Sequence, residues 1–382
     1  MRILLVGEYS RLHNSLKEGL QALGHEVQII GTGDFFKQLP VDMRLERKYN
    51  TGFAKKIKVG IYRLFKIDIT SRNLLKQFFD FDTSLKNFDI VQLINESPLG
   101  VQPSEERKAI DFLNEHNKNI FLLSCGTDYT SVSFAMDKKI RYSIFTPLLE
   151  NRISENFYTS ALRFLKPKYK KLHQYLYNEV IQGVIASDMD YHLPLKQNGK
   201  YLGLIPNPIN TKVLVYNQIE CLDKIVIFMG INRANYFLKG LDFFEKALEK
   251  IQEEFPNKVE VITAENLPYD VYIKQYDRAH ILLDQVYSFD QGFNALEAMA
   301  KGKVVFTGAE DEWKILYGYE EDEVCINALP DIDYLVHKLR WLITNPEQIR
   351  YISTNARKYI EKVHDYKKVA KTYISTWQTA ID

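Results

Sequence analysis

The sequence has few cysteines, almost no net charge and no long apolar run. Its three cysteines, Cys125, Cys221 and Cys325, stand far apart and form neither a disulfide framework nor a metal-ligand spacing, which favours a reducing compartment. Fifty basic and 49 acidic residues leave a net charge of +1, which argues against a nucleic-acid partner. The first residues are predicted to form a strand and lack the features of a signal peptide. No apolar segment downstream is long enough to span a bilayer. We therefore expect a cytoplasmic protein.

Charge is nevertheless uneven along the chain. Residues 44–66 hold eight basic residues and one acidic residue, interleaved with aromatic and aliphatic side chains. A second basic run, "RFLKPKYKKLHQYLY", covers 163–177. Such runs are either solvated helix faces or surfaces that approach anionic lipid headgroups or a lipid-linked phosphate. Both interpretations stay open. The second would mean that the protein makes peripheral contact with the inner face of the membrane.

Two series of apolar strands alternate with helical stretches in the 382 residues. The first contains "RILLVG", "EVQII", "DIVQLI", "NIFLL" and "QGVIA", and the second contains "KIVIFMG", "KVEVI", "HILLD", "KVVFTG" and "EVCIN". Continuous apolar strands between helices indicate parallel sheets that are covered on both faces. We predict an α/β protein with two doubly wound parallel-sheet domains that face a cleft.

The boundary between these domains is expected near 207–222. This gives a first domain over 1–210, a second over 223–363, and a last helix, about 364–382, that crosses back to the first domain. Segment 40–80 fits the alternation poorly and is interpreted as an insertion. A cleft between two such domains is where a ligand is expected.

The stretch "VYSFDQGFNALEAMAKGKVVFTG" (286–308) predicts two strands joined through a short helix. Leu296 and Met299 fall on one helical face and Glu297 on the other. Gly292 directly precedes the helix, at the carboxyl end of a strand, where ligands meet unpaired helix N–H groups. Glu297 is thus either a surface carboxylate or a partner for a ligand's hydroxyls.

Another strand, "KIVIFMG", ends at Gly230 and is followed by two cations, Arg233 and Lys239. Glycine lets a ligand approach the backbone, and two cations beside free helix amides form a receptor for a pyrophosphate. Each cation alone could be an ordinary loop charge. The two elements follow strands that are neighbours in the expected sheet, which favours a functional interpretation of both.

These segments resemble glycosyltransferases of the GT-B fold, of the family-4-like type. "FNALEAMAKGKVVFTG" is similar to their "LEAMACGxPVV" signature, "IFMGINRANYFLKGLDFFEKAL" to their "GRxxxxKG" segment, "IPNPIN" to "IPNGID", and "GEYSRLHNSLKEGLQALGHEV" to their first βα unit. The resemblance covers nearly the whole chain. It implies two Rossmann-like domains and transfer of a sugar, with retention, from a nucleotide diphosphate sugar to a glycan, lipid-linked or other acceptor in polysaccharide or glycoconjugate synthesis. It implies no bound metal or other cofactor.

The resemblance also implies roles on the donor side. Arg233 and Lys239 would bind the diphosphate, and Glu297 would accept both ribose hydroxyls in one fork. Backbone amides at the start of the helix would lie near the sugar, and "TAENLPY" (263–269) would hold the base. The implied donor-binding residues are Gly230, Arg233, Lys239, Asn266, Leu267, Gly292, Phe293 and Glu297.

The sequence departs from the family pattern at catalytic positions. The family's second Glu, eight residues before Glu297, is Phe289 here, so Asp290 or Gln291 substitutes for it or the role is lost. The glycine-rich loop after the first strand is missing. Where the family has a first-domain His, "LLSCGTDY" offers Asp128. The catalytic candidates are therefore Asp128 and Asp290.

Polar residues after the first-domain strands are the candidates for the acceptor side: Glu8, His13, Asn95 and Glu96. His13 could equally be a structural histidine. The eight histidines show no metal-ligand spacing, so no metal site is predicted.

Two other functions remain open. A non-catalytic GT-B module that binds a nucleotide or glycan and serves a partner enzyme would explain the missing Glu and His. A GT-B phosphorylase or nucleotide-sugar epimerase would need acid and base residues that the sequence does not place. Slow donor hydrolysis would distinguish an enzyme from a module.

Overall fold

The computed structural model describes residues 1–34, 38–219, 223–265, 267 and 269–382. Its first sheet has the strand order β3-β2-β1-β4-β5-β6-β7, with parallel pairing throughout the described strands. The strands of this sheet are β1 (Arg2–Val6), β2 (Glu26–Gly31), β3 (Met43–Arg44), β4 (Ile90–Leu93), β5 (Ile120–Ser124), β6 (Gly183–Ala186) and β7 (Tyr201–Leu204).

The second sheet is also parallel and has the order β12-β11-β10-β8-β9. Its strands are β8 (Ile225–Ile231), β9 (Val259–Glu265), β10 (Ile281–Leu283), β11 (Val304–Thr307) and β12 (Ile326–Asn327). The expected boundary region, 207–222, lies between the last strand of the first sheet and the first strand of the second.

Helices connect the strands of both sheets. Those in the first half of the chain are α1 (Leu12–Ala22), α2 (Gly52–Phe65), α3 (Ile69–Phe79), α4 (Pro103–His116), α5 (Tyr129–Met136), α6 (Thr146–Leu149), α7 (Thr159–Leu162), α8 (Pro167–Tyr175) and α9 (Met189–Leu195). Those in the second half are α10 (Leu241–Glu254), α11 (Tyr269–Arg278), α12 (Phe293–Ala300), α13 (Asp311–Tyr317), α14 (Ile332–Thr344), α15 (Pro346–Val363) and α16 (Tyr366–Ile381).

Strand β1 shows why its sheet is covered on both faces. Side chains of a strand point alternately to opposite faces. Leu4 and Val6 belong to one buried apolar cluster, and Ile3 and Leu5 belong to another on the opposite face. Because all four are fully buried, the sheet needs helices on both sides, as the apolar strand pattern predicts.

The last helix returns to the first domain, as predicted. Trp377 and Tyr373 of α16 are buried in the cluster that also contains the apolar residues of α1. Gly19 of α1 permits this close packing, because a Cβ there would collide with the carbonyl of Tyr366. A β-bridge between Ile209 and Asp365 joins the two crossings between the domains.

The interpretation of segment 40–80 as an insertion is wrong in part. Strand β3 pairs in parallel with β2 at the edge of the sheet, and α3 packs on α4, so both belong to the regular alternation. Only α2 projects, since none of its residues is buried. A two-residue strand has too few residues to show a periodic pattern, which is why the sequence did not reveal β3.

Candidate active site

Each sheet has one place where the direction of strand addition reverses. In the first sheet it lies between β1 and β4, and in the second between β8 and β10. Loops beyond the carboxyl ends of such strands part and leave a crevice that binds ligands. Arg233 and Lys239 follow β8 and Asp284 follows β10, whereas Glu8 follows β1 and Asn95 follows β4. Residues predicted for both sides of the cleft thus lie at the two expected places.

A cleft of about 210 Å³ opens between the domains, near these places. Its walls come from the loops after β5 and β6, from residues 131–145, and from the loop between β10 and α12. The residues that line it are Gly126, Thr127, Ser131, Phe134, Ala135, Ile140, Ser143, Ile144, Phe145, Asp188, Asp190, Tyr191, Pro194, Gln285, Tyr287, Ser288, Asp290 and Gly292.

Lys239 is held at the carboxyl edge of the second sheet through an ion pair. Its Nζ lies 2.9 Å from Oδ1 of Asp284, and the same oxygen accepts a bond from the Asn294 side-chain amide at 2.9 Å. The Asp284 side chain is only 2% exposed and the Lys239 side chain 34% exposed. The Lys239 side chain is therefore partly exposed, while a buried carboxylate fixes the position of its ammonium group.

The turn that presents Lys239 depends on Gly240, which precedes α10. Gly240 has a left-handed φ of 68°, and a Cβ there would lie 2.8 Å from Cβ of Val286. The N–H of Val286 donates to the Lys239 carbonyl at 2.8 Å. The loops after β8 and β10 are thereby packed directly on each other.

Arg233 lies further out on the same edge. Its guanidinium bonds Glu265, at the end of β9, at 2.8 and 2.6 Å, and both side chains are substantially exposed. Gly230 is covered by another side chain, because a Cβ there would lie 3.1 Å from the hydroxyl of Tyr272. In this structure Arg233 is directed at a carboxylate, and Tyr272 lies where backbone approach to Gly230 was predicted.

Helix α12 begins at the cleft. Gly292 is its N-cap residue and a cleft-lining residue, and Phe293 is its first residue. Glu297 lies one turn later, is half-buried, and is a neighbour of Tyr276 on α11. Leu267 is 37% exposed, whereas Asn266 lies outside the described residues.

Asp290 is a buried carboxylate of the second domain on the wall of the cleft. Its Oδ1 accepts the N–H of Gln291 at 2.7 Å, and its Oδ2 accepts the N–H of Met189, a first-domain residue, at 3.2 Å. Burial raises the pKa of Asp290 to about 7, and the neighbouring Asp190 acts in the same direction. The carboxyl group can therefore exchange its proton near neutral pH.

Two first-domain carboxylates, Asp188 and Asp190, face Asp290 and also line the cleft. Asp190 accepts the Ser288 hydroxyl at 2.7 Å and the Phe289 N–H at 3.3 Å, and Asp188 caps α9. Burial raises the pKa of Asp190 to about 6, and burial with its acidic neighbours raises the pKa of Asp188 well above its usual range. Carboxylates thus join the two domains across the cleft.

Phe289, at the position of the family's second Glu, carries a cation on its ring. The Arg141 guanidinium lies 4.6 Å from the ring centroid and bonds Glu310 at 2.8 Å and Glu312 at 2.7 Å. Tyr142 also donates to Glu310. The Phe289 ring is 1% exposed and has no hydrogen-bonding group, so the family's carboxylate has no counterpart at that position.

Among the acceptor-side candidates, Glu8 and His13 are both buried. Glu8 accepts the backbone N–H of Asn14 at 2.7 Å, and burial raises its pKa to about 7. Nδ1 of His13 lies 2.8 Å from the Gly7 carbonyl, and burial lowers the pKa of His13 to about 3. A neutral, fully buried imidazole favours the structural interpretation of His13.

Asn95 and Glu96 connect the loop after β4 to its neighbours. The Asn95 amide donates to the Cys125 carbonyl at 2.6 Å. Glu96 lies 2.6 Å from Nδ1 of His173 and accepts the N–H of Tyr129 at 3.1 Å. Burial raises the pKa of Glu96, while the bond to His173 opposes that shift. Both residues are buried, and their hydrogen bonds join the loop after β4 to the loop after β5 and to α8.

Asp128, the other predicted catalytic residue, is the N-cap of α5. Its carboxylate accepts the Ser124 hydroxyl at 2.5 Å and both the N–H and the hydroxyl of Ser131 at 2.7 Å. It is not among the residues that line the cleft, although its neighbour Thr127 is. The geometry favours a structural role for Asp128.

In the part of the chain that the structure describes, no group of three or more His, Cys, Asp or Glu side chains is arranged to hold a metal ion. Of the described cysteines, Cys325 is buried, Cys125 is half-buried, and both are free thiols.

Comparison with known proteins places this geometry in a fold family. The chain is similar to sucrose-phosphate synthase from Thermosynechococcus elongatus, with a TM-score of 0.61, 13% identity and coverage of 100% of this chain and 99% of the other. It is similar to HepE from Anabaena in complex with UDP and glucose (TM-score 0.58, 12% identity, 99% and 100% coverage). A glycosyltransferase from Rickettsia africae gives a TM-score of 0.54 at 12% identity, with 100% and 98% coverage.

The fold is GT-B. Residues 242–375 match a family model described as glycosyl transferase-like. No curated protein has a significantly similar sequence. The predicted resemblance to a GT-B glycosyltransferase is confirmed, the fold through the solved structures and the enzyme class through the family model. Membership of family 4 and retention of configuration stay predictions, as do the roles of the site residues.

Sequence reasoning missed Asp188, Asp190 and Arg141 in the GT-B cleft. Asp188 and Asp190 form an Asp-x-Asp pair that directly follows the strand "QGVIA", so their position after a strand end was a usable signal. Arg141 follows no strand and belongs to no motif. Its contact with Phe289 exists only because the segment 137–145 reaches across to the second domain.

Proposed function

We propose that this GT-B glycosyltransferase transfers a sugar from a nucleoside diphosphate sugar to an acceptor on the first-domain side of the cleft. One observation carries the donor assignment: Lys239, Asp284 and the start of α12 converge at the reversal point of the second sheet, beside the cleft. A fixed cation beside the N-terminus of a helix is a receptor for phosphate. UDP-sugars are the first donors to test, because HepE was solved with UDP and glucose.

The diphosphate would be bound through exchange of ion-pair partners. Asp284 is buried and already bonded by Asn294, so it would keep the partly exposed Lys239 side chain in position while the ammonium meets a phosphate oxygen. Arg233 would leave Glu265 for the phosphate. That exchange is inexpensive, because an exposed ion pair contributes little to stability.

The ribose would be held from α12. Glu297 lies about one helical turn after Phe293, the first residue of α12, so its carboxylate would reach a sugar bound beside the same helix end that faces the diphosphate. A carboxylate accepts hydrogen bonds only, which suits two neighbouring hydroxyl donors.

Asp290 would contact the transferred sugar in place of the Glu that Phe289 replaces. It is one residue away from that position, lines the cleft, and has a pKa of about 7 because it is buried. With its proton it can donate a hydrogen bond to a sugar oxygen, and without its proton it can only accept one. Neighbouring Asp190 would oppose loss of that proton.

The chemistry proposed is breakage of the bond between the anomeric carbon and the leaving phosphate oxygen. Negative charge develops on the diphosphate as that bond breaks, and Lys239, Arg233 and the α12 amides would stabilise it. With retention, the acceptor oxygen bonds the anomeric carbon from the same face, and its proton passes to the departing phosphate oxygen. The buried loops of Asn95 and Glu96 would shape the acceptor side.

The test is donor hydrolysis. The chain is incubated with UDP-glucose and with other nucleotide sugars, and the released nucleoside diphosphate is measured. We expect slow release by the wild type, strong loss in Lys239→Ala and unchanged release in Lys246→Ala, which removes an exposed lysine of α10. Equal release by Lys239→Ala and the wild type would contradict the donor assignment.

A non-catalytic module is the second candidate, and one observation favours it. The place of the family's Glu is taken up by the buried Phe289 ring beneath Arg141, without a hydrogen-bonding group. Saturable binding of UDP without any release from a full panel of nucleotide sugars, with or without added acceptors, would favour the module.

A further inference from the structure

Helix α2 has an uncovered apolar stripe. At 100° per residue, Phe53, Ile57 and Leu64 fall within a narrow sector of the helix. Their exposed fractions are 76%, 46% and 78%, and the structure leaves none of the α2 residues buried. Water-facing aromatic and aliphatic side chains on one face are characteristic of interaction surfaces.

The same helix carries positive charge without any acid. Lys55, Lys56, Lys58 and Arg63 are its charged residues, and Lys66 follows directly. Only Lys58 is half-buried, where it donates to the Asn50 side chain at 2.7 Å, and the others are exposed. An amphipathic helix with cations beside its apolar stripe suits the interface of an anionic bilayer, into which it inserts its apolar side chains.

The structure brings the second basic run next to this helix, although about one hundred residues separate them in the sequence. Lys168 of α8 donates to the side chain of Gln102, and the N–H of Gln102 donates to the hydroxyl of Ser71 at 3.0 Å. Ser71 belongs to α3, the helix that packs against α2. Burial raises the pKa of Tyr169 of α8, and Tyr62 of α2 lies near enough to influence that pKa in the same direction. The exposed lysines on either side of Tyr169 are Lys166, Lys168, Lys170 and Lys171. The two runs that the sequence shows separately thus form one surface, hereafter the α2–α8 surface (residues 52–66 and 166–171).

This surface borders the acceptor side of the cleft. The chain reaches α2 from the carboxyl end of β3, and Arg47 in that connection donates to the carbonyls of Leu99 and Gly100 at 3.1 and 2.9 Å. Residues 99 and 100 belong to the loop after β4, one of the two strands at the reversal point of the first sheet. A bilayer bound at the α2–α8 surface would therefore lie close to the acceptor-side opening of the cleft.

We propose that the α2–α8 surface docks the protein on anionic phospholipid bilayers and so presents the acceptor side of the cleft to a lipid-linked acceptor. The acceptor part of this inference rests on the proposed glycosyl transfer, whereas docking does not. No described helix is both long and apolar enough to cross a bilayer, so contact through α2 would be peripheral.

The experiment is co-sedimentation of the full chain with vesicles of phosphatidylcholine alone and of an equal mixture with phosphatidylglycerol. We expect binding to the mixed vesicles only, weakened by added salt. Lys55→Gln/Lys56→Gln/Lys58→Gln should lower the partition coefficient by roughly fivefold per lysine, on the order of 100-fold in all. Phe53→Ser/Leu64→Ser should also lower binding while leaving its salt dependence in place.

Matched controls come from other parts of the surface. Lys246→Gln/Lys358→Gln/Lys371→Gln removes the same charge from exposed lysines elsewhere, and Ile315→Ser/Leu316→Ser removes exposed apolar side chains of α13. Both controls should bind vesicles as the wild type does. Equal loss in the lysine controls, no preference for anionic vesicles, or binding to single-stranded RNA but not to vesicles would overturn the docking proposal.

UDP binding and donor hydrolysis separate this proposal from the proposed function. Both should be unchanged in the α2 variants, because the donor residues lie in the second domain. Vesicle binding without donor hydrolysis would support docking and count against the enzyme. Donor hydrolysis without vesicle binding would support the enzyme and contradict the docking proposal.

Discussion

Lys239→Ala is the substitution that most directly tests the donor site. It removes an ammonium whose Nζ lies 2.9 Å from Oδ1 of Asp284, a carboxylate that is only 2% exposed. Among the described residues, Asn294 remains the one hydrogen-bond partner of that carboxylate, since Oδ2 has none there. The variant therefore loses the proposed phosphate contact and would also expose the ligand to an uncompensated negative charge.

The lost contact sets the scale of the effect. A hydrogen bond to a charged group contributes about 1.5–3 kcal/mol, which corresponds to roughly 10- to 150-fold weaker binding. Repulsion between Asp284 and the diphosphate moves the expected loss toward the upper end of that range. Lys239→Ala/Asp284→Asn, which removes this repulsion, should bind UDP more tightly than Lys239→Ala and more weakly than the wild type.

Isothermal titration with UDP and with uridine measures both effects. UDP affinity should fall in Lys239→Ala while uridine affinity stays constant, because uridine has no phosphate. Lys246→Ala should match the wild type for both ligands. If Lys239→Ala binds UDP with wild-type affinity, or loses uridine binding equally, Lys239 does not bind the diphosphate.

Three further predictions concern the ribose, the cleft carboxylates and metal dependence. Glu297→Gln should weaken binding of UDP more than of 2′-deoxy-UDP, because the ribose diol is the proposed partner of the carboxylate, and equal losses in titration would return Glu297 to the surface-carboxylate interpretation. Burial raises the pKa of Asp290 from 3.8 to about 7, so the folded state holds an extra proton between these values and loses stability as pH rises through this window. The melting temperature of Asp290→Asn, relative to wild type, should therefore rise from about pH 4 to about pH 7, and a constant difference would show that Asp290 does not titrate there. EDTA should leave donor hydrolysis unchanged, because in the proposed site cationic side chains would take the place of a metal ion at the diphosphate, and loss of activity that manganese or magnesium restores would contradict this.

The second domain shows how far local sequence reaches. Alternation of apolar strands with helices predicted β8 to β12, and Gly292 with the helix after it predicted α12 at the cleft. These features follow from local physics, since apolar strands need cover and a helix start leaves N–H groups unpaired. The positions of Lys239 and Gly292 beside one crevice then follow from the order of the strands.

The first domain shows where that reasoning fails. Asp128 follows a strand, as a catalytic residue would. Its carboxylate, however, already accepts hydrogen bonds from Ser124 and Ser131 and caps a helix. The first-domain carboxylates that line the cleft are Asp188 and Asp190. A strand end predicts which sheet edge a side chain occupies, but not whether a neighbouring backbone already holds it.

The sequence by itself determined the two parallel sheets, the last helix and the cations beyond β8, because each depends on periodicity or on a short local motif. Only the tertiary structure decided which carboxylates meet in the cleft, that Arg141 covers Phe289, and that α2 and α8 lie on one side of the first domain. Those features bring together segments that are about one hundred residues or more apart. Burial then changes the proton affinity of Asp190 and Asp290 through desolvation, which no local pattern records.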